Sequence, residues 1–405
     1  MFLSSKYNVL YETERGNAIC HKVSFGVDKC KTREMIYLDN AATTRYVPDE
    51  TLAAFIKECN LKSNSGRSGH KDAVNSALKI QKVREYVCDF FGNSGGETIF
   101  TKNCTEALNI AILGTQTKGH IVTTVTEHNS VLRPLSHLEK TSGVSVSFAR
   151  PEKNGRVTLE RIRGLITPQT YLVIINACSN VTGTINDYEN ICKYCAENGI
   201  RTLVDVAQLA GHKRINMKSI GADMLACSGH KGLYGLQGTG FLTFNPRIKI
   251  SPILFGGTGT SSFHITQPTD YPEALEAGTL NGAGIVALGK SMEWVSKKME
   301  TLGIENEKNS KLLVEGLKKI HSLKIYSTPN ESGIVSFIVK GRNSEELADF
   351  LNENNIAVRG GLHCAPLMHK FLGTAGTGLV RVSFGYNNTE RDVLKVLKAV
   401  ERFVK

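Results

Sequence analysis

The feature that most constrains this 405-residue chain is an alternation of short apolar stretches with amphipathic ones between residues 97 and 244. Residues 97–101, 121–124, 171–176, 201–206, 222–227 and 241–244 read as strands, and 105–113, 130–140 and 189–198 as helices between them. Such a rhythm builds a mostly parallel sheet covered by helices, an α/β architecture. Upstream, residues 36–44 read as a short strand running into a polar turn. Pro48 then opens a helix, and a turn-rich loop over 64–70 precedes a second helix with Ala73, Ala77, Ile80, Val83 and Val87 on one face. Downstream, a helix over 285–301 leads to strands at 334–339, 356–359 and 380–384 mixed with helices at 345–354 and 389–405, an α+β arrangement.

The length exceeds one ordinary core, so two domains are expected: a large α/β domain over 36–290, whose first residues pack with the other domain, and a small α+β domain over 291–405. Residues 1–35 show no clear periodicity and read as a disordered or loosely docked extension. They contain no apolar core of a secretory signal, and no apolar run in the chain reaches membrane-spanning length. The ten cysteines are scattered, and the one close pair, Cys192 and Cys195, reads as one face of a helix. Paired metal-type spacing is absent, so no metal site is expected and a reducing cytoplasm fits best. The net charge of +11 is spread along the chain without a basic run or interleaved aromatics, so neither nucleic-acid binding nor a membrane partner is expected.

Ligands of open α/β sheets bind beyond the carboxyl ends of the strands, which makes the polar residues at those ends the candidates. Ser228 to Gly235 is the most informative stretch. A lysine ending a buried strand, Lys231, is an amine that desolvation makes nucleophilic and suited to Schiff-base chemistry. The octapeptide alone reads equally as a surface turn with an ordinary lysine. Thr105 lies where a strand meets a helix N-terminus, either adding its hydroxyl to an anion site or simply capping the helix. His128 follows a strand end, placed to stack on a flat aromatic ligand or to serve as a loop histidine. Asp205 ends another apolar strand, where its carboxylate would hold a protonated ring nitrogen or cap the next helix.

Asp205-x-x-Gln208 followed by Ser228-Gly229-His230-Lys231 is a specific combination. With it run Tyr37-Leu38-Asp39-Asn40-Ala41-Ala42-Thr43-Thr44, Cys104-Thr105-Glu106-Ala107-Leu108-Asn109, Glu127-His128, Ser179-Asn180-Val181-Thr182-Gly183, Glu276-Ala277-Gly278-Thr279-Leu280-Asn281, Arg359-Gly360-Gly361-Leu362-His363-Cys364-Ala365-Pro366 and Arg381-Val382-Ser383. In these motifs, and in their order, the chain from about residue 36 onward resembles the class V aminotransferase-like pyridoxal phosphate enzymes, and within them the cysteine desulfurases. The resemblance implies the fold type I architecture, with a mainly parallel seven-stranded sheet plus a small α+β domain, and a homodimer. It implies pyridoxal 5'-phosphate as cofactor: Lys231 carries it and moves protons, Asp205 pairs with its ring nitrogen, and His128 stacks on the ring. Gln208 and Asn180 approach its phenolic oxygen, while Cys104, Thr105, Ser228 and His230 line the phosphate side and Thr279 reaches it from the other subunit. Arg381 grips the substrate carboxylate, and Asn40, His70 and Arg359 lie in substrate-side loops.

Cys364 separates a desulfurase from other members. Its loop, with His363 and Arg359, favours a thiolate, although a free cysteine is ordinarily a small buried apolar residue. The implied reaction converts L-cysteine to L-alanine and leaves a persulfide on Cys364 for a sulfur-acceptor protein, in iron–sulfur cluster assembly or in thiolation of a cofactor or tRNA. The alternatives are a selenocysteine lyase or other class V enzyme and, more remotely, a catalytically silent scaffold on the same fold. Two features depart from the commonest pattern: Cys104 stands where Thr or Ala is commoner, and the loop after Cys364 is compact, as in the subgroup that relies on a dedicated activator or acceptor.

Overall fold

The computed structural model describes residues 9–12, 18–21, 35–61, 64, 68–115, 118–260 and 262–405. The chain divides into two compact units, Met1–Met35 and Ile36–Lys405. In the first, β1 (Val9–Glu12) pairs antiparallel with β2 (Ala18–His21). Residues 1–8, 13–17 and 22–34 of the extension expected to be disordered or loosely docked lie outside the described residues.

The second unit opens with β3 (Ile36–Tyr37), α1 (Asp49–Leu61) and α2 (Lys71–Phe90). Strands and helices then alternate through β4 (Glu97–Thr101), α3 (Cys104–Gly114), β5 (His120–Thr124), α4 (Asn129–Ser142), β6 (Ser145–Ala149) and α5 (Leu159–Arg163). The alternation continues with β7 (Thr170–Asn176), α6 (Tyr188–Glu197), β8 (Arg201–Asp205), α7 (Met217–Ile220), β9 (Met224–Ser228) and β10 (Gly240–Phe244). After α8 (Gly282–Lys318) follow β11 (Leu323–Ile325), β12 (Ile334–Val339), α9 (Ser344–Glu353) and β13 (Ile356–Ala357). The chain closes with α10 (Pro366–Leu372), β14 (Val380–Ser383) and α11 (Glu390–Val404).

The expected α/β sheet is present: seven strands in the order β4-β10-β9-β8-β7-β5-β6. Alternate residues of each central strand enter opposite layers of core, as the pleat requires. Val173 and Ile175 join Ile80, Val83, Ile191 and Leu288 on one face. Leu172 and Ile174 join Ala107, Ile112, Val131 and Leu135 on the other. Strands β5 to β9 run parallel, and β10 runs antiparallel to both β9 and β4. Two reversals restore the direction, so the carboxyl end of β4 emerges at the same edge as those of β5, β7, β8 and β9.

The helix predicted over 285–301 extends to Lys318, a 37-residue α8 that runs through the expected boundary at 290. Its apolar positions continue as Leu302, Leu313, Val314 and Leu317, all buried. It packs on α1 and α2 and, further along, on α11. Past it lies an antiparallel sheet β11-β12-β14, while β3 pairs in parallel with β13. Ile36 and Leu38 join Val335, Phe337, Val382 and Val396 in that core. Sequence reading missed β6, α5, α7, β11 and α10: β6 is a partly exposed edge strand, and α10 is a short helix opened by Pro366 at its first turn. No described helix is long and apolar enough to cross a membrane.

Candidate active site

Lys231 follows β9 on a turn fixed by backbone contact. Gly229 N–H donates to Thr239 C=O at 2.8 Å and Tyr234 N–H to Lys231 C=O at 2.9 Å. On the other side the 210–211 turn lies directly against Gly232. A Cβ on Gly232 would come 2.2 Å from Ala210 O, and one on Gly211, whose φ is +88°, 1.9 Å from Gly232 O. Only glycines permit that approach, which sets where the Lys231 side chain starts. Burial pushes the Lys231 amine below its ordinary value, with the charge of Asp205 opposing. Its Nζ makes no hydrogen bond among the described residues.

Asp205 ends β8 and is buried. Its Oδ1 accepts from Ala207 N–H at 2.9 Å and from the Cys104 thiol at 3.6 Å. Burial raises its carboxyl, while the Ala207 N–H and the Lys231 charge hold the ionised form. Cys104 opens α3, but the cap of that helix is Asn103, whose Oδ1 accepts from Glu106 N–H at 3.0 Å. The capping reading of Thr105 is therefore wrong: Asn103 takes that role, and Thr105 is left in the cavity wall.

His128 caps α4, its Nδ1 accepting from Ser130 N–H at 3.1 Å. Burial, then the charge of Lys231, pushes the imidazole down to about 4, so it is neutral near pH 7. His230 is likewise pushed to about 4 by burial, and its Nδ1 lies 3.0 Å from Thr43 Oγ1. Gln208 donates through Nε2 to Ala41 C=O at 3.0 Å. Asn180 donates through Nδ2 to His363 C=O at 2.6 Å, leaving Oδ1 buried without a partner.

These residues line one cavity: Cys104, Thr105, His128, Asn180, Asp205, Gln208, Ser228, His230 and Lys231. Nine predicted residues from five strand ends thus converge there. Two of their buried polar atoms, Ser228 Oγ and Asn180 Oδ1, have no hydrogen-bond partner, a costly arrangement unless a ligand completes it. A wall with hydroxyls at a helix N-terminus, a carboxylate opposite, an unpartnered amine and a neutral imidazole fits a phosphorylated pyridine aldehyde.

Next to this cavity, Asn40 lines a small void together with Gln208 and Lys231, and donates to Ser383 C=O at 3.0 Å. A second cluster surrounds Cys364. Arg359 Nη2 lies 3.9 Å from its Sγ, and Arg381 is buried with Nη1 on Asn180 C=O at 2.9 Å and Nη2 on Asp39 Oδ1 at 3.0 Å. His363 and Cys364 both adopt left-handed backbone, φ 48° and 57°, a strain of the kind stored at functional loops. Thr279 is exposed, and His70 serves as the N-cap of α2; neither lines the cavity of its own chain. Sequence reasoning gave no role to Asp39, Asn103 and Glu127. Asp39 stands inside a quoted motif, but its pairing with Arg381 spans 342 positions and leaves no local signal.

The class V aminotransferase family model matches residues 36–396. A probable cysteine desulfurase of Methanothermobacter thermautotrophicus is 34% identical over 381 residues, covering 89% of this chain and 92% of the relative. One from Pyrococcus abyssi is 34% identical over 398 residues, covering 92% and 95%. Among solved structures, the apo structure of a cysteine desulfurase from Thermococcus onnurineus NA1 superposes with a TM-score of 0.84 at 32% identity, over 91% of this chain and 94% of that one.

Proposed function

This chain belongs to the class V aminotransferase family, and on that premise we propose that it is a pyridoxal phosphate-dependent cysteine desulfurase. The cofactor, when bound, supplies the electron sink that makes the substrate's α-proton acidic. The chain supplies the rest. Thr105, Ser228 and His230 would hold the phosphate, with Cys104 in the same cavity wall. The Asp205 carboxylate would hold the proton on the ring nitrogen, and the neutral His128 would pack on the ring. Asn180 and Gln208 would lie on the phenolic side. Lys231 Nζ takes up the α-proton and returns one to the product carbon, work suited to a desolvated amine.

Arg381 binds the substrate carboxylate, with Asn40, His70 and Arg359 on the substrate side. Cys364 Sγ, as thiolate, attacks the sulfur of L-cysteine. The S–S bond forms as the C–S bond breaks, and the carbon that keeps the electron pair is protonated to give L-alanine. The persulfide on Cys364 then passes its outer sulfur to an acceptor protein.

The observation that carries this reading is how the cysteine loop is tied to the cavity. Asn129 N–H, next to His128, donates to Cys364 C=O at 2.8 Å, and Asn180 Nδ2 donates to His363 C=O at 2.6 Å. A cysteine loop whose backbone is held by one cavity-wall residue, Asn180, and by the neighbour of another, His128, is positioned to act on what binds there.

We further propose a homodimer, supported by exposed apolar side chains on the 253–265 loop, with Phe255 at 69% and Phe263 at 102% exposure, and by the outward position of Thr279. A large domain over 36–290, a small domain over 291–405 and a cytoplasmic location belong to the same reading. The location is supported by eight free thiols among the described residues.

The test is alanine and sulfide formation from L-cysteine with a thiol reductant, for the protein and its Cys364→Ala variant. Turnover in the parent and none in the variant is the expected result. Turnover of neither, with cofactor bound, overturns it; selenide release from selenocysteine surviving in the variant would point to a lyase.

A further inference from the structure

Cys104 stands against the carboxylate of Asp205, and the geometry of this pair carries more than packing. Its Sγ lies 3.6 Å from Asp205 Oδ1, the oxygen that also accepts Ala207 N–H at 2.9 Å. Oδ1 thus has two donors from two different segments, and Oδ2 makes no hydrogen bond among the described residues. The thiol cannot easily move away. It sits on the first residue of α3, whose cap Asn103 lies so close to β10 that a Cβ on Gly240 would come 2.6 Å from the Asn103 carbonyl carbon.

We propose that Cys104 is a positioning residue for Asp205: its S–H and the Ala207 N–H together fix Oδ1, so that the carboxylate presents Oδ2 to the ring nitrogen of the cofactor. The inference rests on the proposed pyridoxal phosphate reading and adds a residue to it. Burial, reinforced by the charge of Asp205, raises the Cys104 thiol well above its ordinary value, so it stays a donor throughout the working pH range. A donor on Oδ1 also draws negative charge away from Oδ2, which tempers how strongly Asp205 holds the ring proton. An alanine here would remove this contact, and a hydroxyl residue would replace it with a shorter reach and a stronger donor. The thiol is a third solution, longer and weaker.

The experiment uses the full chain reconstituted with pyridoxal phosphate, as parent, Cys104→Ala and Cys104→Ser. Two readouts besides turnover are followed: the pH midpoint of the bound cofactor's visible absorption band, and the dissociation constant for pyridoxal phosphate. In Cys104→Ala the midpoint moves upward, because the carboxylate regains charge. Its cofactor affinity falls by roughly three- to tenfold, the scale of one ordinary net hydrogen bond, as suits a weak thiol donor. Cys104→Ser restores most of both. A Cys104→Ala protein with the parental midpoint and affinity overturns the proposal. So does a variant whose cofactor-free form loses as much thermal stability as its cofactor-bound form, since the role would then be packing alone. A parent that takes up no pyridoxal phosphate overturns the proposed function together with it, whereas a parent that binds and turns over while Cys104→Ala is silent overturns this inference only.

Discussion

Arg381 and Asp39 meet at 3.0 Å, Nη2 to Oδ1, with the guanidinium side chain 2% exposed and the carboxylate side chain 22%. A second contact, Nη1 on Asn180 C=O at 2.9 Å, leaves Nε buried without a partner. The strand that bears Arg381 is thereby joined to the first turn of the unit and to the cavity wall. Removing one member of a buried pair strands the other charge, which costs more than the pair itself contributes. Asp39→Ala is therefore expected to lower unfolding free energy by roughly 3 kcal/mol in urea titration. A loss within experimental error would show that solvent already compensates Arg381.

The same arginine predicts a kinetic split. Lysine keeps the charge but loses the planar fork, so Arg381→Lys should raise KM for L-cysteine roughly tenfold or more with a smaller change in kcat. Steady-state kinetics decides it; a fall in kcat at unchanged KM would mean that Arg381 does not bind the carboxylate.

Gly232 should be intolerant of any side chain for a steric reason. Its added Cβ would lie 2.2 Å from Ala210 O, a backbone atom that cannot swing away. Gly232→Ala has to push apart the turns that position Lys231, at a cost of roughly 1–3 kcal/mol. The expected outcome is a lower melting temperature and weak visible absorbance after incubation with pyridoxal phosphate. Gly376→Ala is the control, because nothing lies within 4 Å of its Cβ position. Equal behaviour of the two variants would contradict the argument.

What the sequence disclosed follows from how each feature is encoded. The central strands are buried on both faces, so their apolar runs stand out, and β4 and β12 fall at the predicted bounds. The nine cavity residues sit at the ends of such strands or within four residues after them, where chain direction alone brings them to one edge. Edge strand β6 carries polar residues at alternate positions and lacks the apolar run. The choice between Asn103 and Thr105 as cap depends on backbone angles: Asn103 is extended, at φ −172° and ψ 171°, as a cap requires. The Asp39–Arg381 and Arg84–Glu276 pairs join segments far apart in sequence, and composition says nothing about which charges meet.

Arg84 and Glu276 form a buried fork, Nη1 to Oε1 at 2.7 Å and Nη2 to Oε2 at 2.9 Å, with Phe100 N–H donating to the same Oε1 at 2.6 Å. Glu276 lies three residues before Thr279, so the pair anchors the root of the segment proposed to reach the partner's phosphate. Arg84→Ala should destabilise by roughly 3–5 kcal/mol, and Arg84→Lys by less, since the charge persists without the bidentate geometry. Thermal unfolding of both variants tests the order; a lysine variant as impaired as alanine would mean that the fork geometry, not the charge, is what holds the segment.

Glu127 gives a pH signature of opposite sign to the histidines around it. Its side chain is fully buried, with Oε1 accepting from Thr124 Oγ1 at 2.7 Å and Asn176 N–H at 2.9 Å, and Oε2 unpartnered. Burial pushes the carboxyl up to about 8. Between the ordinary carboxylate range and that value, the folded chain keeps a proton that the unfolded chain has lost. The unfolded state therefore binds fewer protons, and stability falls as pH rises through this window. His128 and His230, both depressed to about 4, act the other way: their contribution is present above the ordinary imidazole value and is lost as pH falls toward 4. A difference between parent and Glu127→Gln cancels the histidines and isolates the carboxyl. Glutamine keeps the acceptor for Thr124 and Asn176 and cannot ionise. The variant should gain on the parent by roughly 2–4 kcal/mol between pH 5 and pH 8, read from urea unfolding at a series of pH values. A difference that stays constant across that range would show that Glu127 is ionised in the folded protein and held by a compensation other than protonation.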